Sequence, residues 1–210
     1  VIESADGWSM RDFKEFAAYR DLLYFLVWRD IKVLYAQTIM GFSWAILQPR
    51  IQIVMFTIIF GKVANIPTDG VPYFLFSTVA VIPWTYMSAT MTGSSMSLVS
   101  GQGMLGKVYF PRVIFPLTPI LAKLVDFLIA ILIVVVVMMY YEVTPSLNLI
   151  YLPLFITFMS IIPFGVGLWF SSLAIRFRDV KFAMQFFIRM LMYTAPVVYA
   201  ASSIPSEYQF

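Results

Sequence analysis

Few side chains in this sequence can do chemistry, and their types point to charge recognition rather than bond breaking. There is no Cys, hence no disulfide and no thiolate. There is no His, which removes the commonest metal ligand and the commonest general base near neutral pH. The long apolar runs hold no paired carboxylates; Asp126 is accompanied only by Lys123, three residues earlier. Residues three apart face each other on a helix, so these two read as an intrahelical ion pair that lowers the cost of both charges. Arg176, Arg178, Asp179 and Lys181 form a compact charged group between two apolar runs. Arg29 and Lys32 lie in an amphipathic stretch, Arg50 near the start of an apolar run, and Arg189 well inside another. An unpaired charge at such depth is costly unless it faces water, an anion or a partner. No spacing marks a Ser/Lys nucleophile, so no catalytic, metal-binding or cofactor-binding residue is assigned. An intramembrane enzyme is the rival class that these absences disfavour.

One glycine-rich stretch imitates nucleotide chemistry. Gly101 to Lys107, GQGMLGK, fits both GxGxxG and GxxxxGK. The residue after Lys107 is Val108, which has no hydroxyl for magnesium, and an apolar run rather than a strand leads into the loop. A phosphate cradle needs a strand–loop–helix frame. The glycines therefore read as turn-formers, and ATP hydrolysis is not expected of this chain.

The elements that position these charges follow from composition. Of 210 residues, 61% are hydrophobic and 12% charged, against about a quarter charged in soluble domains. Long apolar runs make an all-α polytopic membrane protein. Five spans are expected, at about 44–63, 73–92, 113–141, 149–175 and 182–201, each near the length a bilayer core requires. Residues 1–43 precede them as cytosolic and interfacial helices. Ser9 and Asp12 resemble a helix N-cap opening a short amphipathic helix to Arg20. From Asp21 the helical period groups Trp28, Ile31, Tyr35, Thr38, Ile39 and Phe42 on one face, suited to lie along the membrane–water boundary. Gly41 loosens the chain before the first span. The Ser- and Gly-rich residues 93–112 read as a loop, and Pro153, Pro163, Gly165 and Gly167 predict a kinked or broken fourth span.

Orientation follows from the basic residues. Segments 1–43, 93–112 and 176–181 carry ten of the fourteen Lys and Arg, while 64–72, 142–148 and 202–210 carry none. The positive-inside rule puts the N-terminus and both charged loops in the cytosol. The net charge of +3 is thus a membrane signal and does not point to nucleic acid.

Several segments resemble the membrane subunit of type-2 ABC exporters of the polysaccharide family, which move O-antigen, teichoic acid or capsule. They are Trp28–Tyr35 (WRDIKVLY), Gly41–Pro49 (GFSWAILQP), Lys107–Arg112 (KVYFPR) with Pro116, Arg176–Asp179 (RFRD), and Ala195–Tyr199 (APVVY) followed by Ile204 and Pro205. The resemblance implies a permease of the bacterial inner membrane, with six spans, so a last span is expected beyond Phe210. It implies a homodimer with two separate ATP-binding cassette subunits that hold ATP and Mg, gripping the loops at 94–106 and 176–181. Arg176, Arg178 and Asp179 are then the expected coupling residues. It also implies a lipid-linked polysaccharide, whose carrier phosphate would meet Arg29, Lys32 and Arg50 at headgroup depth. Arg50 stands where the family is expected to carry an apolar residue. An exporter of a drug or lipid shares this fold and is the alternative.

Overall fold

The computed structural model describes residues 18–35, 43–68, 70–106, 110–144 and 146–200. Among them every regular element is helical. Helix α1 is Arg20–Tyr35, and α2 is Ser43–Phe56, continued by a π-helical stretch Thr57–Val63. Helix α3 is Tyr73–Ser100, α4 the four residues Gln102–Leu105, and α5 Ile114–Tyr140. A 3₁₀ turn, Leu147–Tyr151, leads into α6, Leu152–Arg176, and α7 is Val180–Thr194. The expected cap at Ser9, the break at Gly41 and the Ile204–Pro205 segment lie outside the described residues.

Among the described residues four stretches are long and apolar enough to cross a membrane: Ile46–Val63, Tyr73–Ser100, Ile114–Tyr140 and Leu147–Arg176. The chain is an all-α, multi-pass membrane protein. The fifth expected span, 182–201, differs. Its helix, α7, has 15 residues, or about 22 Å at 1.5 Å each, short of the roughly 20 residues a bilayer core requires. The cause is Pro196. It disfavours helical geometry in the residue before it, and Ala195 is accordingly extended, at φ −77° and ψ 143°.

Two other expectations are corrected. Residues 93–100 are the last turns of α3 rather than a loop. Two of their four hydroxyls bond back to the helix's own backbone, Ser97 to the Ser94 carbonyl and Ser100 to that of Met96, as Thr92 just before them does to that of Ser88. In lipid, where water is absent, this satisfies the side chain without breaking the ladder. The fourth span is likewise one helix, with Pro163 buried inside it.

Helix α3 is the hub and packs against α2, α5, α6 and α7. Half of its membrane stretch is buried, against 6% for α6's, so α6 turns most of its surface outward. Tyr86 stacks on Phe127 of α5 with ring centroids 4.8 Å apart, and its hydroxyl lies 2.8 Å from Ser160 Oγ of α6. Two turns on, Ser94 Oγ donates to the Pro116 carbonyl of α5 at 2.6 Å. The same Ser94 sits against Gly167 of α6, where an added Cβ would lie 2.1 Å from its Oγ. The pairings run antiparallel between α3 and α5 and parallel between α3 and α6.

Gly167 is therefore required by close approach, whereas a Cβ on Gly165 would meet nothing within 4 Å. Gly167→Leu should separate α3 from α6 at an overpacking cost of about 1–3 kcal/mol or more, seen as a lower thermal midpoint and aggregation in detergent. Gly165→Ala should leave both unchanged; equal damage from the two substitutions would refute the close-approach account.

Candidate functional site: a charged face and a polar cavity

The ends of α3 and α6 and the starts of α5 and α7 lie at one end of the bundle. Helix α1 joins them there. Leu26 is fully buried among Leu98, Phe110, Ile114 and Phe115, with Leu22, Leu23, Met104 and Leu105 packed around it. The docking face of α1 is thus centred on Leu26, a position apart from the Trp28 face that the helical period assigns to the membrane–water boundary. Trp28 is 48% exposed, and Tyr24, Phe25 and Val33 more so. A helix apolar on two sides fits one side against protein and the other against the membrane surface. The α4 segment carries the glycines of the nucleotide look-alike, and among the described residues no strand precedes it. A Cβ on Gly101 would fall 2.2 Å from the Phe115 ring. That glycine permits close packing of the α3 end on α5 and does not cradle phosphate.

The charged turn between α6 and α7 lies at the same end. Arg176, Arg178 and Asp179 fall within four residues and are exposed. Arg176 covers the Phe177 ring, its guanidinium carbon 5.5 Å from the centroid. Arg178 and Asp179 form no ion pair among the described residues. Asp179 caps α7 through its backbone carbonyl, which accepts from the amides of Phe182 and Ala183. Its carboxylate makes no capping bond, so it remains available to an outside donor, favoured by the positive end of the helix dipole.

The other three cations are less concentrated than the sequence implied. Arg29 donates to Asp30 Oδ1 through Nε and Nη2, at 3.0 and 2.8 Å. An exposed pair of this kind is worth about 0–1 kcal/mol and is readily exchanged. Lys32 Nζ lies 5.6 Å from the centre of the Trp28 ring, one turn away. Both sit on α1, which packs on α5 and not on α2. Arg50, exposed on α2, is not brought against them by any described contact. Arg189 is exposed on α7.

Sequence reasoning found the Lys123–Asp126 pair but not its surroundings. Lys123 Nζ meets Asp126 Oδ2 at 2.9 Å. The other oxygen, Oδ1, accepts from the hydroxyl of Tyr35, 91 residues away at the end of α1. Burial first, then the hydrogen bond and the charge of Asp126, push the Tyr35 hydroxyl well above its ordinary pKa of 10.0, keeping it a donor. The pair borders a cavity of about 120 Å³ between α2, α3 and α5, lined also by Gln48, Ile82, Tyr86 and Phe127. Only the i,i+3 spacing was visible in sequence; no local signal announces a contact across 91 residues.

The ABC-2 type transporter family matches residues 21–210. The O-antigen export system permease protein RfbA of Klebsiella pneumoniae is 29% identical over 191 residues, covering 90% of this chain and 73% of its own. The protein of the same name from Myxococcus xanthus is 24% identical, with 94% and 75% covered. The polysialic acid transport protein KpsM of Escherichia coli is 23% identical, with 86% and 70% covered. The chain belongs to the ABC-2 type transporter family.

The Tyr35 hydroxyl should hold the end of α1 to the bundle. Tyr35→Phe removes a bond to a charged acceptor, worth about 1.5–3 kcal/mol, so amide exchange in the last turn of α1 should quicken by about tenfold or more while α3 is unchanged. A raised tyrosine pKa favours the protonated form in the fold, so this contribution is complete below pH 10 and fades only in stronger alkali. Wild-type exchange in the Phe variant would remove the tether.

Proposed function

We propose that this chain is the transmembrane subunit of an ATP-driven exporter that moves a lipid-linked polysaccharide, such as O-antigen, from the cytosol across the bacterial inner membrane. The observation that carries this proposal is the family match across nearly the whole chain, together with relatives named for O-antigen export. It acts as a transport subunit, not an enzyme. Two copies form a homodimer beside two ATP-binding cassette subunits, which hold ATP and Mg and hydrolyse the nucleotide. The N-terminus is cytosolic, in keeping with the distribution of Lys and Arg.

Within this scheme the bundle end bearing α1, α4 and the 177–179 turn faces the motor subunits. Arg176, Arg178 and Asp179 transmit their movement. The open carboxylate of Asp179 and the fork of Arg178 suit charge-assisted bonds to a partner. Arg29, Lys32 and Arg50 attract the carrier phosphate at the headgroup level. The hold of Asp30 on Arg29 and of Trp28 on Lys32 is weak enough to yield to a phosphate.

Two measurements test this assignment. Truncating one side of a buried interfacial charge pair costs about 2–5 kcal/mol, so Arg178→Ala or Asp179→Ala should cut polymer export by about tenfold or more while the protein stays in the membrane and the motor still hydrolyses ATP. Wild-type export by both variants would sink the coupling role. Neutralising Lys32 and Arg50 together should weaken carrier-stimulated ATPase activity more than basal activity. A proportional loss of both would point instead to damaged docking.

A further inference from the structure

We propose that the cavity beside Lys123 is a headgroup site for a phosphate or diphosphate, operated by an exchange of partners at Asp126. Its biological ligand, a lipid-linked phosphate, rests on the transport function proposed above; the chemistry of the site rests on its own geometry. The two oxygens of Asp126 are held by different donors on different helices, Oδ2 by Lys123 and Oδ1 by Tyr35. If Lys123 turns to another anion, Asp126 keeps Tyr35 and is not left bare. Burying an unpartnered carboxylate is the cost that ordinarily locks such a pair, and the tyrosine removes much of it.

The unused bonding capacity of the cluster selects the ligand. An ammonium has three N–H donors, and the bond to Asp126 is the one shown for Lys123 among the described residues. The carboxylate already accepts on both oxygens. The ammonium keeps two further N–H donors, and the acceptor that a cation favours most is an anion. The Lys123 and Asp126 side chains are 28% and 22% exposed, so the ammonium is reachable. A cavity of about 120 Å³, where a single water needs roughly 10–15 Å³, has room for a phosphate group. Gln48 brings a carboxamide to the rim, while Ile82, Tyr86 and Phe127 form walls that strengthen the attraction by excluding water. The site lies about 14 Å along α5 from Ile114, at 1.5 Å per residue, deeper than the exposed cations of α1.

The test uses the full-length protein in phosphatidylcholine nanodiscs, with farnesyl diphosphate and inorganic diphosphate as probes in equilibrium titrations. Lys123→Gln should weaken farnesyl diphosphate binding by tenfold or more. Asp126→Asn should tighten it severalfold, because the ammonium loses its competing carboxylate. Opposite signs from the two members of one ion pair are not expected of a structural bridge, whose breakage from either side harms the fold alike. If Asp126→Asn does not fold, Tyr35→Phe carries the contrast: Asp126 then has Lys123 alone, holds it harder, and binding should weaken severalfold. Binding of both probes marks the phosphate itself as the ligand, and binding of the prenyl form alone marks a lipid headgroup; both support the site. Equal losses in the two pair variants, or no change in either, overturn it. Polymer export in cells lacking the chain is scored separately. Failure of the binding contrast with export dependent on the chain defeats the cavity and leaves the exporter, and the reverse result defeats the exporter alone.

Discussion

The bundle depends on Ser94. Its hydroxyl reaches the Pro116 carbonyl of α5, and its bulk fills the space left by the missing side chain of Gly167 on α6. Helix α3 thereby holds two neighbours at backbone distance. In lipid there is no hydrophobic force between helices, so association relies on close packing and on hydrogen bonds made within the protein. The hydroxyls of α3 meet both requirements. They are small enough to let helices approach, and they are satisfied mainly on their own backbone, as at Thr78, Thr90 and Thr92. Without that internal satisfaction, a helix so rich in Ser and Thr would be an expensive centre for a membrane protein.

The same constraint sorts the charges. Those deep along the helices, Lys123 and Asp126, are paired, and Tyr35 adds a second partner to the carboxylate. Those at the end of the bundle that bears the charged turn, Arg178 and Asp179, are exposed and form no ion pair among the described residues. A charge held by partners within the fold costs less than a bare one, and the exposed charges of the turn are open to a partner from outside. Arg29 and Lys32 fall between, each engaged by a neighbour within one turn of its own helix.

Much of this was legible in the sequence, for identifiable reasons. Span positions are written in apolar run length, and 113–141 against Ile114–Tyr140 agrees within a residue. The pair at Lys123 and Asp126 is written in helical spacing. Where the sequence misled, a local rule was outweighed by environment. Serines that favour loops in water extend α3 by two turns in lipid, since they bond their own helix. Pro163 and two glycines leave α6 continuous, with Pro163 and Gly167 on its buried side. The short α7 was predictable in principle from Pro196, but its apolar composition concealed the break. The docking face of α1 was not legible because the helix is apolar on both sides, and periodicity alone cannot say which side meets protein. Nor could it find Tyr35 at Asp126, a contact created only when α1 lies along α5.

That contact gives α1 a role beyond marking the membrane surface. At one end the helix buries Leu26 in a cluster with Leu98, Phe110, Ile114 and Phe115, which Met104 and Leu105 of α4 also border. At the other it holds the carboxylate that competes for Lys123. Sixteen residues of helix, about 24 Å, thus join the end of the bundle that bears the charged turn with the cavity between the spans. Packed contact supplies continuity, but coupling also requires an element with two arrangements that both sites can bias. Asp126 has the means for two, because it keeps one donor when it releases the other. A shift of α1 along α5 would move Tyr35 and change the hold of Asp126 on Lys123. Conversely, an anion on Lys123 would leave Asp126 to Tyr35 and pull α1 toward α5. The linkage runs in both directions, as any equilibrium coupling must, and it ties the seat of α1 on the bundle to occupancy of the proposed cavity site through a single side chain.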